Sequence, residues 1–63
     1  MKYYIIDTGE KMSSFARLIM DVLNTEGHHY LMFVTNEEFY LAVEEVNEDT
    51  FLDTAAEMKS QLN

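Results

Sequence analysis

The chain has 63 residues, a formal net charge of −8 at pH 7 and no cysteine. A chain this short forms one domain at most, so residues 1–63 are expected to be a single small acidic domain. The lack of cysteine excludes disulfides, thiolate nucleophiles and cysteine-ligated zinc. Because 48% of the residues are hydrophobic, the chain is not a disordered acidic tail.

The apolar runs of the sequence are short. The start, MKYYIIDTGE, contains four consecutive apolar residues, too few for the core of a secretion signal. The longest later run, YLMFV, is far below the roughly 20 residues that a membrane-spanning helix needs. These runs predict a cytoplasmic protein.

The first strand and the first helix are predicted from a change in the spacing of apolar residues along the chain. Residues 2–7, KYYIID, are rich in aromatic and β-branched residues and predict a short strand. Thr8-Gly9 offers a turn, and Gly27 offers the left-handed residue that ends a helix. Between these two glycines, from about residue 11 to residue 25, apolar side chains recur at helical spacing. This stripe consists of Met12, Phe15, Ala16, Ile19, Val22 and Leu23.

The apolar arc of this helix is unusually wide. Leu18 and Met20 flank the stripe and widen it to roughly 200°, although a surface helix typically needs about 100°. Either the helix lies deep between the sheet and a second helix, or one shoulder contacts another molecule. Leu18 and Met20 are therefore candidate self-association residues.

Two further strands are predicted at residues 28–35, HHYLMFVT, and 38–46, EFYLAVEEV. We expect them to form a β-hairpin around Asn36-Glu37, although this pair is a weaker turn signal than Asn-Gly. In the second of these strands Phe39, Leu41 and Val43 share one face. Since carboxylates are rarely buried unpaired, the packed part is expected to end at Val43. Glu44 and Glu45 are then expected at a rim or an edge of the sheet.

The last element is a helix that begins near residues 47–50 and runs to about residue 61. Asn47 is one candidate N-cap, and Thr50 with Asp53 resembles a capping box. The apolar stripe comprises Phe51, Ala55, Met58 and Leu62. The order β-α-β-β-α predicts an α+β fold, with a three-stranded, largely antiparallel sheet and both helices packed on one face.

The acidic residues are unevenly distributed. Ten acids and no lysine or arginine lie between residues 18 and 58. On the last helix Asp49, Asp53 and Glu57 are spaced four apart, and each like-charge pair costs a few tenths of a kcal/mol. The acids are either a solvated face that favours solubility, in part aided by the helix dipole, or a recognition surface. The candidate partner-binding residues are Glu37, Glu38, Tyr40, Glu44, Glu45, Glu48, Asp49, Asp53 and Glu57.

A strongly acidic protein repels nucleic acids and anionic membranes and favours basic partners. Direct nucleic-acid binding is not expected, because phosphate contacts need clustered lysine and arginine. In being short, cysteine-free and strongly acidic, the chain is similar to small phage-encoded inhibitors, including some anti-CRISPR, anti-restriction and uracil-glycosylase inhibitor proteins. That resemblance covers size and charge only. It implies a module that docks on a basic, nucleic-acid-binding protein as a nucleic-acid mimic.

Catalytic and metal-binding patterns are weak. His28 and His29 are adjacent, so in a strand they point to opposite faces and do not easily hold one metal. The sequence has no glycine-rich phosphate loop, no Ser-His arrangement and no EF-hand spacing. We therefore expect no enzyme activity, metal or cofactor. The alternative to an inhibitor is a homodimeric structural or regulatory module whose acids serve only solubility.

Overall fold

The computed structural model describes residues 1–61 and contains three strands and two helices. Their order confirms the predicted β-α-β-β-α arrangement and the α+β class. The elements are β1 (Tyr3–Thr8), α1 (Ser14–Glu26), β2 (His29–Val34), β3 (Leu41–Val46) and α2 (Glu48–Gln61). Among the described residues, neither helix is long and apolar enough to cross a membrane.

The strand order is β2-β1-β3, so β1 is the central strand. β1 pairs in parallel with β2, with Ile5 opposite Leu31, and antiparallel with β3, with Ile5 opposite Glu44. The sheet is therefore mixed, and the predicted hairpin of β2 and β3 is wrong. The two strands lie on opposite sides of β1, and β1 and β2 run the same way because a helix connects them.

The connection from β2 to β3 crosses the carboxyl end of β1. Gly9, just after β1, donates its N–H to the carbonyl of Tyr40 at 2.9 Å, and Glu10 donates to the carbonyl of Glu37 at 2.7 Å. Gly9 is buried beneath this crossing. A Cβ at residue 9 would collide with the backbone carbonyl oxygen of Glu37. The predicted turn at Gly9 is thus a place where two backbone segments pack closely.

Capping side chains and a glycine set the ends of α1. The Ser13 hydroxyl accepts a hydrogen bond from the Ala16 N–H at 3.1 Å, which makes Ser13 the N-cap. Gly27 has φ 76°, and the N–H of His28 reaches the carbonyl of Leu23 at 2.9 Å. The predicted left-handed glycine after the helix is confirmed.

The two helices lie on opposite faces of the sheet, so the prediction of one shared face is wrong. Side chains alternate along a strand, and Tyr3 and Tyr4 therefore mark the two faces of β1. The Phe51 ring of α2 lies 5.0 Å from the ring of Tyr3. The Asn24 amide of α1 donates to the hydroxyl of Tyr30, which pairs with Tyr4. We call these the α2 face and the α1 face.

The second helix begins after Asn47, whose Oδ1 accepts a hydrogen bond from the Thr50 N–H at 2.8 Å. Asn47 is therefore the N-cap, and Thr50 lies inside the helix. Of the predicted apolar stripe, Phe51, Ala55 and Met58 are half-buried. Leu62 lies outside the described residues.

The fully buried core among the described residues is small. It consists of the apolar side chains of Ile6, Ala16 and Leu23, together with Thr8. All four belong to β1 and α1, on the α1 face. Nothing in α2 is fully buried, so the packing of the α2 face is looser than that of the α1 face.

We expect the two glycines to respond differently to alanine. Gly9→Ala should lower the free energy of unfolding by about 3 kcal/mol or more, because the added Cβ meets a backbone carbonyl that no side-chain rotation can move. Gly27→Ala is the control, since a Cβ there meets nothing within 4 Å and only the left-handed backbone opposes it, at about 1 kcal/mol. Urea denaturation measures both, and a smaller loss for Gly9→Ala than for Gly27→Ala would contradict the tight crossing.

Candidate functional site

The eight carboxylates between residues 36 and 57 are all exposed. The structure distributes them over three places, which are described in turn below. They are Glu37, Glu38, Glu44, Glu45, Glu48, Asp49, Asp53 and Glu57.

The first place is the connection between β2 and β3. Glu37 and Glu38 lie where this connection crosses the end of β1, and the backbone carbonyl of Glu37 is held by the Glu10 N–H. Tyr40 is 40% exposed at the end of the same connection. These three candidate residues thus lie close in sequence, beyond the amino end of β3.

The second place is the carboxyl end of β3 and the first turn of α2. Glu44 and Glu45 are exposed on β3, which is an edge strand of the sheet, as the sequence predicted. Glu48 and Asp49 follow in the first turn of α2, where their charge is favourable to the helix dipole. We call Glu44, Glu45, Glu48 and Asp49 the acidic edge.

The third place is the outer side of α2. Asp49, Asp53 and Glu57 form one exposed row, and at 100° per residue this row lies opposite the half-buried Phe51 and Met58. We call these three acids the α2 row. Asp49 belongs to both groups. Glu37 and Glu38 are separated from the acidic edge by the length of β3, about 20 Å for six residues.

Positive charge near these acids is scarce. The Lys2 ammonium lies 3.4 Å from the carboxylate of Glu45, and this is the only Lys or Arg ion pair among residues 1–61. A hydrogen bond to Glu45 and the negative charge of that carboxylate raise the pKa of Lys2 above its ordinary value. Both side chains are more than half exposed, so the pair contributes little to stability. The other seven acids have no such counter-ion within this part of the chain.

The two histidines take different roles. His28 precedes β2, accepts a hydrogen bond from the Lys2 N–H through Nδ1, and places Nε2 3.1 Å from a carboxylate oxygen of Glu26. The exposed His29 stacks on the ring of Tyr3 at 5.3 Å. Within residues 1–61 no cluster of three potential metal ligands occurs.

The two candidate self-association residues lie on different shoulders of α1. Leu18 is 60% exposed, whereas Met20 is half-buried and lines a shallow open groove with Arg17 and Asn24. Asn24 contacts β2 through Tyr30, so the shoulder of Met20 is directed towards β2. At helical spacing the shoulder of Leu18 is on the other side, towards β3.

An exposed apolar surface that was not predicted from the sequence lies beside this shoulder. Phe15 and Val22, which were predicted to be core residues, are 69% and 47% exposed. Phe39, predicted to pack in a strand, precedes β3 and is 91% exposed. The 200° apolar arc of α1 was the signal that could have revealed this surface. We call the apolar face the group Phe15, Leu18, Val22, Leu41 and Val43.

No protein-family model matches the chain, and neither a curated protein nor a solved structure matches it.

The Lys2–Glu45 pair can be tested by titration. We expect Glu45→Gln to lower the pKa of the Lys2 ammonium towards its ordinary value, because the negative charge that stabilises the protonated form is removed and only a neutral acceptor is left. NMR titration of the lysine side chains measures this pKa, with Glu44→Gln as the control on the same strand. In the wild type the pair's small contribution to stability should persist at neutral pH. It should be lost as the pH rises through the raised pKa of Lys2. An unchanged Lys2 pKa in Glu45→Gln would contradict the pairing.

Proposed function

We propose that the protein is a binding module without catalytic activity, and that its acidic edge and α2 row dock on a basic protein. The observation that carries this proposal is the exposure of these acids without counter-ions. Lys2 is the one cation that pairs with any of them in the described chain. A surface of this charge attracts a basic partner and steers its approach.

The arrangement of the α2 row supports recognition over simple solubility. Asp49, Asp53 and Glu57 repel each other at i, i+4 spacing, and alternating acids with lysines would give a soluble helix without this cost. The opposite side of α2 packs on the sheet through Phe51, so the row points away from the sheet. A row of carboxylates at helical spacing can match a row of basic side chains in a partner.

The negative charge of this surface indicates the class of protein that it would bind. Many basic clefts on proteins hold nucleic acid, and an ordered row of carboxylates can occupy such a cleft and exclude the nucleic acid. We therefore propose that the partner is a nucleic-acid-binding protein and that the effect is inhibition or modulation. The chain resembles phage-encoded anti-defence inhibitors in size and charge, and this supports a role as a nucleic-acid mimic in the cytoplasm of a host.

The residues around the crossing form a separate candidate contact. Glu37, Glu38 and Tyr40 lie at the opposite end of β3 from the acidic edge. A partner that touched both places would have to span β3. We propose these three residues as a secondary contact, since tyrosine is favoured at protein interfaces.

A second candidate function is a homodimeric structural or regulatory module whose acids serve only solubility. The exposed apolar face favours it, because an apolar surface of this kind marks an interaction site. The two functions predict opposite responses to salt.

We expect a tagged protein to capture a basic nucleic-acid-binding protein from a bacterial lysate at low salt, and to release it at high salt, because screening weakens the attraction. The variant Asp49→Asn, Asp53→Asn, Glu57→Gln should weaken that complex at least about tenfold. Mass spectrometry identifies the captured protein, and isothermal titration with it measures the affinity.

A matched variant separates the surface from the net charge. Glu10→Gln, Asp21→Asn, Glu26→Gln also changes the net charge from −8 to −5 (−8 + 3), but its acids lie outside the acidic edge and the α2 row. It should retain most of the affinity. Equal losses in the two variants, or binding that is indifferent to salt, would reject the proposed surface.

A further inference from the structure

The apolar face is formed by one shoulder of α1 and by strand β3. We call the uncovered space above β3, beside α1, the gap. Phe15, Leu18 and Val22 lie on one shoulder of α1 and are 69%, 60% and 47% exposed. Leu41 and Val43 project from β3 on the α1 face of the sheet, since they pair with Thr8 and Ile6 of β1. Helix and strand thus present apolar side chains on the same side of the molecule.

The gap arises because one helix cannot cover three strands. An α-helix with its side chains is about 10 Å across, and neighbouring strands are about 4.8 Å apart. α1 covers β1, where Ile6 and Thr8 are fully buried, and reaches β2 through Asn24 and Tyr30. The α1 face of β3 is left without a helix, and Val43 there is 41% exposed.

The small core favours an additional stabilising contact at this surface. Only three apolar side chains among the described residues, those of Ile6, Ala16 and Leu23, are buried. A chain of about 60 residues buries a smaller fraction of its surface than a larger domain and is only marginally stable alone. Chains of this size often gain stability from a disulfide, a metal or self-association, and without cysteine no disulfide can form.

The charge of the apolar face favours a second copy over a basic partner. None of its five residues is charged, and Glu45, which follows Val43 on the same side of β3, is paired with Lys2. The carboxylates of the α2 row lie on the outer side of the helix that packs on the other face of the sheet. The apolar faces of two copies can therefore meet while both α2 rows remain remote from the contact.

We propose that the apolar face is the interface of a two-fold homodimer, in which the exposed shoulder of α1 from each copy fills the gap above β3 of the other. The contact is the same patch on both copies, so the assembly closes at two and leaves no apolar face exposed. Leu18 lies in the interface, and Met20, on the other shoulder, lies outside it. This proposal does not depend on the proposed function, because the acidic edge and the α2 row stay accessible in the dimer.

The test compares two leucines of similar exposure on the two helices. Leu18 is 60% exposed in the apolar face, and Leu52 is 55% exposed on α2 outside it. Sedimentation equilibrium of the wild type should give twice the 7.4 kDa of the single chain. Leu18→Asp should give the monomer mass or a strongly weakened dimer, and Leu52→Asp should remain a dimer.

Thermal unfolding supplies a second measurement in case Leu18→Asp fails to fold. The melting temperature of the wild type and of Leu52→Asp should rise with protein concentration, as dimer dissociation requires. A wild type that is monomeric at every concentration, with a constant melting temperature, would overturn the proposal. Two variants that both stay dimeric, or that both become monomeric, would place the interface elsewhere and would overturn it too.

Salt separates this proposal from the proposed function. Two chains of charge −8 repel each other, so added salt should leave the dimer intact or strengthen it, whereas it should weaken a complex with a basic protein. A dimer that dissociates at high salt would contradict an apolar interface. A dimer without any basic partner would reject only the proposed function.

Discussion

The fold depends on the central position of β1. Its backbone bonds to β2 on one side and to β3 on the other, so the connection between those two strands must cross the end of β1. The crossing is possible because Gly9 has no side chain, and its N–H bonds to the carbonyl of Tyr40. Every other element takes its position from this arrangement, since α1 joins the parallel pair and α2 returns over the opposite face.

In this fold, with a central strand and one helix on each face of the sheet, few side chains are buried. Each face of the three-stranded sheet has one helix, which is too narrow to cover it. On the α1 face this incomplete cover leaves apolar side chains exposed, including Phe15 and Leu18. On the α2 face it appears as a helix with no fully buried residue. The proposed dimer would cover the exposed apolar side chains on the α1 face.

Charge and apolar surface are segregated in this molecule. The apolar face lies between α1 and β3, whereas the α2 row points away from the opposite face of the sheet. The acidic edge lies between these two regions, where β3 passes into α2. This segregation allows one chain to make both proposed contacts. Salt does not weaken the apolar contact, whereas it screens the acidic one. A dimer built on the apolar face would display two α2 rows.

The local features of the protein can be read from its sequence. The periods of 2.0 and 3.6, the candidate cap at Asn47 and the left-handed Gly27 are properties of short segments, and they predicted the element order, with element ends within a few residues. The placement of the α2 row opposite Phe51 also follows from helical spacing alone. The strand order, the opposite faces of the helices and the exposure of Phe15 and Val22 depend on contacts between distant segments. Strand pairing joins residues that are far apart in the chain. The sequence contains only an indirect indication that β1 is the central strand. Tyr3 to Ile6 form an unbroken apolar run, which suits a strand packed on both faces, but nothing local states which neighbours such a strand will have.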